Sequence, residues 1–147
     1  TPVATTMAAA PATCGEAMLV PLNTRWAIPE NLYSLDDADC VALVVDDYEV
    51  IGDRVVWMLA EEHRVSGFLE VAAEGRRRHR AWVEAAFADW LADVPPAARE
   101  PSVLALLGAL DVYVWKLYRR DLGLDRAATE AVMEHLVRGA LTVDEGR

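Results

Sequence analysis

The chain has 147 residues, 54% of them hydrophobic, and a formal charge of −10 at neutral pH. That length suits one domain with a sizeable core rather than two comfortable ones. The acidic balance excludes general affinity for nucleic acid, which needs a basic face against the phosphates. Cys14 and Cys40 lack metal-ligand spacing and fit free thiols in a reducing cytoplasm better than a disulfide scaffold.

Residues 1–35 carry Pro2, Pro11, Pro21 and Pro29 and no sustained hydrophobic period, which predicts an irregular segment with a short helix near 15–20. Its opening, TPVATTMAAAPATCGEA, has neither the basic start nor the apolar core of a secretory signal. From residue 36 the chain changes character and reads as a single helical domain, 36–147, without strand-like alternation.

The first long helix is predicted at about 37–62, capped by Asp36 or Asp37. Val41, Val44, Val45, Tyr48, Ile51, Val55, Met58 and Leu59 form its apolar stripe, with Val56 and Trp57 off to one side. A turn at Ser66-Gly67 leads into a second helical stretch, 67–92, interrupted near Gly75 and ended by Pro95-Pro96. A third helix, 101–120, is apolar nearly all round. DLGLD stops it, with Gly123 in the left-handed conformation and Asp125 capping a last helix over 126–141. Four or five helices with short connections predict an all-α antiparallel bundle. The longest apolar run, 103–118, is shorter than the roughly 20 residues of a membrane span and is broken by Asp111 and Lys116, so a soluble cytoplasmic chain with no membrane partner is expected.

Asp46, Glu49 and Asp53 share one helix face, but no histidine follows an acidic residue at metal-binding spacing, so a solvated acidic face is expected and no metal. GRRRHR at 75–80 reads as a helix surface pairing with that face rather than as an anion site. His79 leans inward with Trp82 and Val83, as a structural histidine more readily than a catalytic one. Trp57, Trp82, Trp90 and Trp115, with Tyr48 and Tyr113, suit either a packed core or an apolar ligand pocket. Asp111 is the best polar fixture there, able to accept from the Trp115 indole or to pair with an arginine of the second helix. No nucleophile elbow, Cys–His pair or phosphate loop is present, so neither catalytic residue nor cofactor is expected.

DDYEVIGDRVVWMLAEEHR (46–64), GRRRHRAWVEAAFADWL (75–91) and DVYVWKLYRRDLGLDRAATEAVMEHLV (111–137) together resemble the C-terminal regulatory domain of TetR/AcrR-type transcriptional regulators. The resemblance covers about residues 36–141 and rests on the order and spacing of the segments. It implies a homodimeric repressor whose regulatory part holds a small apolar or aromatic ligand and whose last two long helices form the dimer interface. By position it places Tyr48, Trp57, His79, Trp82, Asp111 and Trp115 at the ligand, and Leu106, Leu110, Tyr113, Leu117, Met133, Leu136, Val137 and Ala140 in the interface. Residues 1–35, with one arginine, show no helix-turn-helix pattern, so the DNA-reading head is expected to be missing and DNA contact to need one not visible here.

Overall fold

The computed structural model describes residues 37–142, and among them the chain is all-helical, with no strand. The expected helix near 15–20, the Asp36 cap and Cys14 lie outside the described residues. Helix α1 is Asp37–Ala60, and α2, Phe68–Ala86, follows a turn in which Gly67 takes φ 86°. A side chain there would crowd the following carbonyl, so glycine suits the position. Val41, Val44, Val45, Tyr48 and Met58 are buried as the stripe predicts, while Trp57 is 49% exposed.

The second stretch is interrupted, but not at Gly75. Helix α2 passes through that residue and ends at Phe87, beyond which α3 spans Ala88–Asp93. Same-helix ion pairs bracket the glycine: Arg77 and Arg78 both reach Glu74, and Arg80 reaches Glu84. Pairs of this spacing favour the helical state on both sides of the glycine and oppose the loss of helix propensity it brings.

Helix α4, Pro96–Ala109, starts a turn earlier than expected, with Pro96 where a missing N–H goes unnoticed. The largest difference comes next. The expected continuous helix breaks at Leu110 and Asp111, whose backbone is extended (ψ 146°), and resumes as α5, Val112–Lys116. A π-helical turn, Leu117–Asp121, continues α5, with Leu122 N–H donating to the Leu117 carbonyl at 2.9 Å. Gly123 at φ 69° then turns the chain, and Asp125 caps α6, Arg126–Leu141, by accepting from Ala128 N–H at 2.8 Å.

Helical phase explains the break. Trp115 lies nine residues, about two and a half turns, after Leu106, so in one straight helix the two would point to opposite sides. Both are fully buried. Only a change of phase between them brings both inside, and the extended residue at 111 provides it. Helix α1 packs against α5, α6 and α2, and α4 packs against α6 and α2. No helix among the described residues is long and apolar enough to cross a membrane.

Candidate functional site

Trp115 is held on every side. Gly52 of α1 lies under its ring so closely that an added Cβ would stand 2.5 Å from Cζ3. The Tyr48 ring is tilted against it at 5.8 Å, and the Arg120 guanidinium lies 4.6 Å from its centroid, a cation–π contact. Its indole Nε1–H donates to Glu49 Oε1 at 3.0 Å, so the acceptor is Glu49 of α1 and not Asp111. Glu49 also accepts from Arg119 Nε at 2.8 Å and Nη2 at 2.9 Å, a two-pronged charge-assisted pair. Burial by itself would raise the Glu49 carboxyl, but the hydrogen bonds from Arg119 and Trp115 and the charges of Arg119 and Arg120 outweigh it and hold it below its ordinary value.

The acidic face of α1 remains exposed at Asp46 and Asp53, as expected, and also receives arginines of the chain after Trp115. Arg119 takes Glu49, Arg120 takes Asp53 at 2.9 Å, and Arg126 takes Asp46 at 2.5 Å. GRRRHR does not serve it. Arg76 reaches Glu62 in the turn after α1, and the other arginines pair with Glu74, Glu84 and Glu100. Among the described residues no three His, Cys, Asp or Glu side chains gather as metal ligands.

A second group converges on the α4–α5 break. The Tyr48 hydroxyl donates to the Leu110 carbonyl at 2.9 Å, and Asp111 Oδ1 accepts from Tyr113 N–H at 2.8 Å, capping α5. Asp111 thus pairs with backbone, not with an arginine of the second helix. His79 comes from α2 within electrostatic reach of Asp111. Burial lowers its pKa to about 4, with the Asp111 charge opposing that shift, so the imidazole is neutral at pH 7. Burial, then the charges of Asp111 and Asp47, push the Tyr48 hydroxyl well above its usual value, so it stays protonated.

Of the expected ligand residues, Tyr48, Trp82 and Trp115 are buried in one core cluster, and Asp111 lies within electrostatic reach of both Tyr48 and His79 at the break. Trp57 stands apart, edge-on to Phe68 with ring centroids 5.7 Å apart near the α1–α2 turn. Glu49, Gly52, Arg119 and Arg120 were not singled out around Trp115. A glycine inside a strong helical pattern is the sequence signal that points to such a close approach.

The expected interface residues divide at the break. Leu106, Leu110, Tyr113 and Leu117 make a stripe at i, i+4, i+7 and i+11 only if the helix is continuous. Leu106 and Leu110 are fully buried within one chain, whereas Tyr113 is 50% and Leu117 43% exposed. On α6, Met133 and Val137 are fully buried, Ala140 is half-buried and Leu136 is exposed. Side chains buried inside one protomer cannot also face a second, so Leu106, Leu110, Met133 and Val137 belong to the core. Leu104 of α4, not in the expected set, is exposed. No family model, curated protein or solved structure matches the chain.

Proposed function

We propose that this chain is the ligand-sensing and dimerisation domain of a TetR-like transcriptional regulator of repressor type. The observation that carries the reading is the exposure of Leu104, Tyr113, Leu117 and Leu136 on the helices after residue 95, alongside exposed Leu43, Val50 and Trp57 on α1. Large apolar side chains that share one exposed face mark a surface that meets a partner, and a second copy is the partner the three resembling segments imply. The ligand end of the proposal rests on Tyr48, His79 and Asp111, which offer a hydroxyl, a neutral imidazole and a carboxylate beside the aromatic core. A small apolar or aromatic molecule with a few hydrogen-bonding groups matches that mixture. Its binding would act by favouring one pose of the two protomers over another.

Size-exclusion chromatography with light scattering tests the dimer, and a clean monomer at micromolar concentration would count decisively against it. A second reading keeps the surface and changes the role: a protein that forms mixed dimers with full-length relatives and disables them. The exposed Tyr113, Leu117 and Leu136 would serve such mixed pairing as readily as self-pairing. Subunit exchange with a full-length relative would support it, and failure to exchange would remove it.

A further inference from the structure

The two parts of the broken helix lean mainly on different neighbours. Helix α5 is tied to α1 through Trp115, Glu49 and Arg119, whereas α4 rests on α2 and α6, with α6 also touching α5 and packing on α1. They meet at Leu110–Asp111, where side chains replace two bonds a continuous helix would make. The Leu110 carbonyl would accept from Val114 N–H there, but Val114 donates to Asp111 O at 3.0 Å and the Leu110 oxygen takes the Tyr48 hydroxyl. Tyr113 N–H, which would reach Ala109, goes instead to the Asp111 carboxylate.

We propose that the Leu110–Asp111 break is a hinge bolted by Tyr48, and that withdrawing its hydroxyl lets α4 turn against the α1–α5 pair. The physical drive is the Leu110 carbonyl: buried without its donor it carries the full desolvation penalty, and opening the joint to water relieves it. The turn re-aims Leu104, on one side of the break, against Tyr113 and Leu117 on the other. Its coupling to self-association rests on the dimer reading above; the hinge itself does not.

Amide hydrogen exchange on the full chain, comparing the native protein with Tyr48→Phe, tests it. The phenylalanine keeps the ring against Trp115 and removes the hydroxyl that meets the Leu110 carbonyl. Exchange at Asp111 and Val114 is expected to quicken about tenfold, the loss of one hydrogen bond of ordinary strength, while Met133 and Val137 keep their protection. Unchanged rates at Asp111 and Val114, or an equal loss at all four, overturn the hinge. Should Tyr48→Phe fail to fold, exchange of the native chain in low urea makes the test. Asp111 and Val114 opening at lower urea than Met133 and Val137 upholds the hinge, and all four opening together overturn it. Light scattering on the same samples separates the readings: a persistent monomer with local quickening sinks the dimer and leaves the hinge standing.

Discussion

A methyl group at position 52 would meet the Trp115 ring at 2.5 Å, and that ring is gripped on its other sides by Tyr48, Glu49 and Arg120. It has nowhere to retreat. Gly52→Ala should therefore destabilise the protein by about 1–3 kcal/mol despite alanine's better helix propensity, read as a lower urea midpoint with an unchanged slope. His79 makes a pH prediction. Its folded pKa, about 4, lies below the ordinary 6.5, so between those values the unfolded chain binds the extra proton. Stability is then whole above pH 6.5, declines as pH falls toward 4, and gains no further penalty from this group below that. A span of about 2.5 units corresponds to roughly 3 kcal/mol. Urea titrations across this window should show the slope flattened in His79→Gln. A slope as steep as in the native chain would place its origin elsewhere.

The elements show where local signals suffice. Asp125 and Gly123 were legible as cap and turn, because each acts through neighbours within a turn or two. Asp125→Ala should cost about 0.5–2 kcal/mol, the usual worth of an N-cap, with Asp125→Asn nearly neutral in the same denaturation assay. Gly75 and Leu110 mark the opposite case. A glycine suggested a break that the Glu74 pairs help the helix to bridge, and a run of good helix formers hid one that does occur. Its cause lies on other elements: Gly52 and Glu49 of α1 draw Trp115 inward, out of phase with Leu106. The interface set that joined Leu106 to Leu117 came from the resemblance and presumes one continuous helix, so it divides where that helix breaks.

Across the whole molecule, the division between inward and outward apolar side chains governs the functional reading. If Tyr113 and Leu136 lie in a contact between copies, Tyr113→Glu with Leu136→Glu should weaken self-association tenfold or more. Both positions are exposed, so monomer stability should move by only about 0.5 kcal/mol per substitution. Light scattering over a dilution series reads the first quantity and thermal unfolding the second. An unchanged dissociation profile would move the contact off this surface.

The all-helical class, the limits of α1 and α6 and the burial of Val41, Val44, Val45 and Tyr48 on one stripe of α1 were determined by the sequence itself, through the helical period and local capping chemistry. Tertiary structure alone decided which carboxylate receives the Trp115 indole, which arginines face α1, and where the long apolar helix breaks. These outcomes depend on side chains far apart in the chain competing for one buried volume and a few hydrogen bonds. Periodicity within a single helix carries no record of that competition.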